Sequence, residues 1–110
     1  MIERIVLDYL NDALDTPVYM EVPETGVEFV VLEKTGSGRR DYVNEATFAI
    51  QSYAESMEDA AELNELVKEA MDNIIVLPVI GGSKLNSDYN FTDTDTKRYR
   101  YQCIYVLYYV

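Results

Sequence analysis

The fold is decided by the stretch Thr47–Met71, which reads TFAIQSYAESMEDAAELNELVKEAM. Its first residues alternate as a strand does, and the alternation places Phe48 and Ile50 on the core side. After Ser56 the spacing becomes helical, because one apolar face collects Ala60, Leu63, Val67, Ala70, Met71 and Ile74. Ser56 can accept a hydrogen bond from a first-turn amide, and Asp59 is placed to reach back in a capping box. The stretch therefore predicts a strand that leads directly into a helix packed on the sheet.

A helix is also predicted at the start of the chain. An apolar stripe at helical spacing opposes a polar side, and its members are Ile2, Ile5, Val6, Tyr9, Leu10, Ala13 and Leu14. This helix should end near Leu14 or Asp15, because Pro17 disfavours helical geometry at the residue before it. A short extended segment, Val18–Val22, is expected next, ahead of the turn that begins at Pro23.

Two strands are predicted before the central helix. Glu28–Lys34 is rich in β-branched and apolar residues, which is typical of a central strand covered on both faces. Gly36–Arg40 contains two glycines and predicts a five-residue hairpin loop or mobile tip. The strand Asp41–Tyr53 follows it.

The C-terminal third predicts a second hairpin. Its strands are expected at about Ser83–Phe91 and Lys97–Tyr109, because Thr92–Thr96 consists of Asp and Thr residues that suit a turn. Ile74–Leu77 fits either a last helical turn or an extended segment. Residues 1–110 are thus predicted to form a single α+β domain. It has a mixed, mainly antiparallel sheet of four to five strands, an N-terminal helix and a second helix packed on the sheet.

Composition limits what this chain can do. The 110 residues include 20 acidic and nine basic side chains, a formal charge of −11 that argues against a surface built to neutralise nucleic-acid phosphates. The excess fits either an ordinary solvated surface or an acidic functional one. Cys103 is the only cysteine, so a buried thiol in a reducing compartment is expected. No apolar run approaches the roughly 20 residues that span a bilayer, and neither secretion nor membrane insertion is indicated.

No catalytic, cofactor or metal site is predicted, and the chain is not expected to be an enzyme. It contains no histidine, so its serines and Cys103 lack the usual activating base. Ser83-Lys84 is only a dipeptide, and the glycine pairs lack the context of a phosphate-binding loop. The carboxylates between Asp88 and Asp95 have neither the glycine nor the glutamate of a calcium-binding EF-hand, which favours a solvated turn.

Tyrosine and arginine mark the candidate contact residues. Six of the ten tyrosines lie between Tyr89 and Tyr109. Tyr99 and Tyr101 share one strand face with Cys103, which fits either a strand buried on both sides or a subunit interface, where tyrosine is enriched. Arg39 and Arg40 sit on the Gly-rich loop of an otherwise acidic chain, and predict either a solvated loop or a cationic finger that meets an acidic patch on a neighbouring copy.

Two segments resemble the tail terminator, or tail completion, proteins of long-tailed bacteriophages and prophages. The first is ATFAIQSYAES at Ala46–Ser56 leading into AAELNELV at Ala60–Val67. The second is LNSDYNF at Leu85–Phe91 leading into RYRYQ at Arg98–Gln102. The order of helix, strands, helix and strands is also similar to the family plan. The apolar run at residues 74–80 departs from the polar connector that the family has there.

The resemblance implies a structural virion protein at the junction of tail and head, assembled in the host bacterial cytoplasm. Members of that family form rings, usually homohexamers, on the head-proximal end of the tail tube. They stop tube polymerisation and face the head connector protein. DNA would pass through such a ring without specific binding, helped by a negative lumen that repels phosphates. The alternatives are another head-tail joining component of the neck and, in a different class, an acidic inhibitor that mimics DNA.

Overall fold

The computed structural model describes residues 1–110 and contains two helices and five strands. In chain order the elements are α1 (Ile2–Ala13), β1 (Val18–Tyr19), β2 (Phe29–Arg40), β3 (Val43–Ala54), α2 (Met57–Asp72), a 3-10 turn (Ile74–Val76), β4 (Ile80–Asn90) and β5 (Tyr99–Tyr109). The sheet order is β1-β2-β3-β5-β4, in which only β1 and β2 are parallel. The predicted α+β class, with a mixed and mainly antiparallel sheet, is confirmed.

Both helices pack on the same face of the sheet, and the main core lies between the two layers. Its largest fully buried members include Tyr105, Phe48, Leu10, Leu32, Ile50, Met71, Ile74, Leu107, Val6, Val30 and Val67. The core side predicted for Phe48 and Ile50 and the apolar face predicted for α2 are confirmed. Burial of this apolar surface is the main stabilising contribution to the fold.

The helix boundaries follow the local signals in the sequence. Ser56 is the N-cap of α2, and its hydroxyl accepts from the backbone N–H of Asp59 at 3.1 Å. α1 ends at Ala13 and Leu14 is extended, so the helix stops just before the end predicted near Leu14 or Asp15. Ile74–Leu77 was predicted to be either a last helical turn or an extended segment. Ile74–Val76 form a short 3-10 turn, and Leu77 is extended.

The predicted five-residue hairpin loop at Gly36–Arg40 is wrong. These residues continue β2 and pair with β3, from Gly36 opposite Thr47 to Arg40 opposite Val43. The turn consists of Asp41 and Tyr42 alone, with φ of 49° and 69°. Two central residues with positive φ match the right-handed twist of the flanking strands, so a two-residue turn closes the hairpin without splaying it.

β3, rather than β2, is the central strand. β2 has β1 on its outer side only at Val30 and Val31, so its outer edge is unpaired from Leu32 to Arg40. The prediction that this strand is central is therefore wrong, whereas its predicted burial on both faces is confirmed for Phe29–Leu32, all of which are buried. Phe29 is fully buried on the side without helices, because the ring of Tyr53 stacks on it at 4.6 Å between centroids.

The hairpin turn gives a first testable prediction. Tyr42→Gly should stabilise the chain by about 1 kcal/mol, because a non-glycine residue in the left-handed region costs about that much. Urea unfolding of the wild type and the variant measures the difference. Tyr42→Ala is the matched control, since it removes the same ring but keeps the Cβ that causes the strain. Equal stability of the glycine and alanine variants would contradict the prediction.

Candidate assembly interface

The single thiol is enclosed in the core. Cys103 is fully buried, and burial, aided by the nearby Asp88 carboxylate, raises the pKa of its thiol to about 12. A neutral, inaccessible thiol is neither a nucleophile nor a metal ligand. Asp88 itself contacts the Lys68 ammonium at 3.3 Å and accepts from the Asn64 amide at 3.3 Å. This polar network joins α2 to β4.

The C-terminal turn is closed by its own side chains. Asp93 accepts backbone N–H groups from Asp95 at 3.0 Å and Thr96 at 3.4 Å, and these hydrogen bonds lower the pKa of its carboxyl. The carboxylate is thereby occupied with holding the turn. No group of three or more cysteine and carboxylate side chains is arranged to hold a metal ion.

The four predicted contact residues lie at opposite ends of the sheet. Arg39 and Arg40 flank the β2–β3 turn, whereas Tyr99 and Tyr101 pair with the other end of β3. β3 has 12 residues, which corresponds to roughly 35 Å between the two ends. The structure therefore brings together the members of each pair but not the two pairs, so they belong to two separate surfaces.

The first surface is the hairpin tip, residues 39–43. Asn44 is the first β3 residue that pairs with β5, so the tip extends past the neighbouring strand. No carboxylate lies within 4 Å of Arg39 or Arg40. Tyr42 is 86% exposed at the end of the turn. The sequence prediction placed Tyr42 inside a strand. The sequence signal for a turn here is that Asp41 and Tyr42 stand between two segments with regular strand alternation.

The second surface contains Tyr99 and Tyr101. Both are partly buried, and strand alternation puts them on the helix-facing side with Cys103. Neither hydroxyl makes a hydrogen bond to another residue. Their contribution therefore comes from the rings.

A substitution pair separates ring from hydroxyl. Tyr101→Phe should change the free energy of unfolding by less than about 0.5 kcal/mol, because no buried hydrogen bond is lost. Tyr101→Ala should cost about 1 to 3 kcal/mol, since it removes a partly buried ring. Urea unfolding provides the measurement, with Tyr99→Phe and Tyr99→Ala as parallels. A destabilising Tyr101→Phe would reveal a polar contact of the hydroxyl.

No helix covers the opposite face of the sheet, and we call it the open sheet face. Strand pairing arranges it in cross-strand rows, of which three are Gly36–Thr47–Val106–Lys84, Glu33–Ala49–Ile104–Ser87 and Val31–Gln51–Gln102–Tyr89. Ile104 and Val106 are partly exposed and Tyr108 is exposed. On the open sheet face of β5 only Gln102 is buried, so the interpretation of a strand buried on both sides is wrong for Ile104, Val106 and Tyr108. Most side chains in these rows are small or uncharged, which permits close approach of another protein surface.

An arginine–aromatic cluster closes one end of the open sheet face. Arg100 donates to the Phe91 carbonyl at 2.6 Å and to the Tyr53 hydroxyl at 2.8 Å. The guanidinium of Arg98 lies 5.4 Å from the Tyr53 ring centroid, and that of Arg100 lies 4.4 Å from the Phe91 centroid. Cation–π contacts of this kind fix long side chains over otherwise exposed rings. The resembling segment at Arg98–Gln102 therefore supports the sheet from its helix-free side.

Charge is divided between the two layers. α1 carries three acidic side chains and one basic, and α2 carries six acidic and one basic. The strand residues on the open sheet face include two acidic side chains, Glu33 and Glu45, and three basic ones, Arg40, Lys84 and Arg100. The acidity of the chain thus lies largely on the helix layer, and the open sheet face is close to neutral.

A groove runs between the two helices, and we call it the helix groove. It has a volume of about 310 Å³ and is lined by Tyr9, Ala13, Leu14, Asp15, Thr16, Leu63, Leu66, Glu69, Ala70 and Asn73. The Tyr9 hydroxyl donates to the Ala70 carbonyl at 2.7 Å and ties the helices together at its base. Burial raises the pKa of that hydroxyl. Leu66 is 54% exposed in the groove, which leaves an apolar side chain of α2 uncovered.

Neither a scan against models of protein families nor a search of curated proteins finds a protein similar to this chain. Neither helix is long and apolar enough to cross a membrane. The functional argument therefore depends on the surfaces described above and on the two resembling segments.

Proposed function

We propose that the chain is a structural virion protein of a long-tailed phage or prophage. It forms a homo-oligomeric ring, a hexamer in the proposal, on the head-proximal end of the tail tube. There it terminates tube polymerisation and joins the tail to the head connector. The first resembling segment corresponds to β3 and α2, and the second to β4 and the start of β5. The two resembling segments thus belong to three neighbouring strands, β3, β5 and β4, and to the helix α2 that packs on the sheet.

The open sheet face is the observation that carries the proposal. A surface of small and apolar side chains without strong like charge is one that another protein can cover without electrostatic repulsion. The helix layer carries an excess of carboxylates, so it repels an equally acidic surface and can be approached only by a cationic segment. An acidic chain that assembles with other proteins needs a surface of low net charge in addition to its acidic one. The same carboxylate excess keeps phosphates from adhering when DNA passes through the ring.

Tail tubes test this function directly. Purified chain mixed with polymerising tube protein should halt growth and place a ring at one tube end, visible in negative-stain images. Val106→Glu puts a charge on the open sheet face and should reduce the fraction of capped tubes by about tenfold, as a like-charge contact does at an interface. Val76→Glu is the matched control, because Val76 is 72% exposed outside the sheet. A wild-type chain that forms no rings and never alters tube ends refutes the assignment.

One feature favours a second candidate. Four exposed glutamates, Glu58, Glu62, Glu65 and Glu69, follow one side of α2 at helical spacing. An array of carboxylates can imitate the phosphates of a DNA strand, which is the chemistry of an acidic inhibitor of DNA-binding enzymes. Competition separates the two functions: an inhibitor displaces DNA from a nuclease or a nucleoid protein, whereas a terminator changes tube length and leaves DNA binding unaffected.

A further inference from the structure

We propose that the hairpin tip of one copy inserts Tyr42 into the helix groove of the next copy, with Arg39 and Arg40 beside the carboxylates of Asp15 and Glu69. The inference depends on the ring-forming function proposed above, and it names two surfaces through which neighbouring subunits meet. The occupant of the groove is therefore a second copy of this chain.

The tip has the properties of an anchor. Tyr42 combines 86% exposure with a φ of 69°, so a large aromatic ring is displayed at a strained position. Such strain is found where a site, rather than monomer stability, determines the residue. Tyrosine and arginine, which the tip combines, are the residues enriched among the energetically dominant positions of interfaces. The tip also reaches beyond β5, so nothing in its own subunit covers it.

The groove has the size and lining to receive the ring. Its volume of about 310 Å³ accommodates one aromatic side chain, and its apolar lining includes Leu14, Leu63 and Leu66. The Tyr9 hydroxyl already has a partner in the Ala70 carbonyl, so the entering ring meets a satisfied polar group. Covering Leu66 would remove exposed apolar surface from water.

Charge complements shape. Asp15 and Glu69 line the groove and have no basic group within 4 Å, while Arg39 and Arg40 have no carboxylate within 4 Å. Arginine is suited to such pairing because its planar group binds a carboxylate in bidentate fashion. These are opposite charges left unpaired on different parts of one subunit. Their pairing between copies offsets part of the repulsion between two acidic chains.

The arrangement is compatible with a ring. The tip and the groove are different surfaces, so in a ring each copy uses its tip on one neighbour and its groove on the other. A contact of this heterologous kind produces a ring if the rotation closes and a filament if it does not. A two-fold dimer would instead contain the contact twice, with each tip in the other copy's groove.

Disulfide trapping tests the contact. A double variant, Tyr42→Cys with Leu66→Cys, should form a covalent ladder of subunits that ends at a closed ring under mild oxidation. The buried Cys103 contributes little background. The control pairs Tyr42→Cys with Val76→Cys, whose site is more exposed than Leu66 but lies outside the groove. A ladder at least ~10-fold stronger in the groove pair supports the contact; equal yields overturn it.

Charge exchange gives a second readout. Arg40→Glu should weaken self-association about tenfold in sedimentation, whereas Arg4→Glu, an equal change on α1, should not. Glu69→Lys should also weaken it, although it makes the chain less acidic, and mixing the Arg40→Glu and Glu69→Lys chains should restore association. Net charge alone predicts stronger association for Glu69→Lys. That result, or no recovery in the mixture, overturns the contact.

Failure of the contact is distinguishable from failure of the function. Wild-type rings that are unaffected by Arg40→Glu, Glu69→Lys and Tyr42→Gly leave the terminator function standing and eliminate this interface. A wild-type chain that never associates and never caps a tube eliminates both. Tyr42→Gly is informative for another reason: it should improve folding while it weakens association about tenfold or more, an opposition that a purely structural residue does not show.

Discussion

Leu63→Ala is expected to lower the free energy of unfolding by about 2 to 5 kcal/mol. Leu63 is 4% exposed and belongs to the main core, on the face of α2 that contacts the sheet. Removing its isobutyl group loses apolar burial and leaves a cavity that the neighbouring side chains fill only in part. Since small domains are stable by only about 5 to 15 kcal/mol, this change removes a large fraction of the total.

The same helix provides the matched control. Leu66→Ala has identical chemistry three residues later, but Leu66 is 54% exposed. Its cost should be below about 0.5 kcal/mol in the monomer. Urea unfolding of both variants, under conditions where the chain is monomeric, gives the comparison. If Leu63→Ala cost no more than Leu66→Ala, the packing of α2 described above would be incorrect.

Cys103 is expected to react with iodoacetamide at pH 8 at least ~10³-fold more slowly in the native chain than in urea. A thiol pKa of about 12, against an ordinary value of 9.0, by itself reduces the thiolate fraction by about that factor, and full burial removes access as well. Reaction then requires opening of the fold. Leu63→Ala should accelerate the reaction about tenfold for each 1.4 kcal/mol of lost stability, provided that modification occurs through global unfolding.

Mass spectrometry of the alkylated chain over time measures this rate. Tyr42→Cys is the internal control, since it adds an exposed thiol to the same fold that should react as a free cysteine does. Native Cys103 that reacts within tenfold of the added thiol would contradict its enclosure between α2 and the sheet. The same result would also invalidate the low background on which disulfide trapping depends.

Local signals predicted the elements better than their arrangement. The change from strand to helix at Ser56 is confirmed because both the capping hydroxyl and the periodicity are encoded within a few residues. The prediction of a loop at Gly36–Arg40 was wrong because glycine is also permitted in a strand. Glycine indicates a turn only where the backbone requires a positive φ. There the positive φ values fall on Asp41 and Tyr42 instead.

The candidate surfaces depend on contacts between residues distant in sequence. Arg39 and Arg40 could be chosen from composition, but the exposure of Tyr42 depends on where the hairpin closes. The helix groove joins residues of α1 and α2 and has no local pattern at all. The division of charge between layers likewise required knowledge of which sheet face the helices cover. The exposure of Tyr42, the helix groove and the division of charge all depend on strand order and helix placement. A single sequence does not encode these locally.

The unpaired outer edge of β2 has a consequence for aggregation of the chain. A free strand edge offers backbone donors and acceptors that can recruit further strands and seed fibres. Here the edge carries Lys34, Gly36, Gly38, Arg39 and Arg40, and glycine and cationic side chains both disfavour added strands. Nucleation of an open-ended sheet is thereby discouraged. By its composition, this edge is a poor template for the addition of further strands.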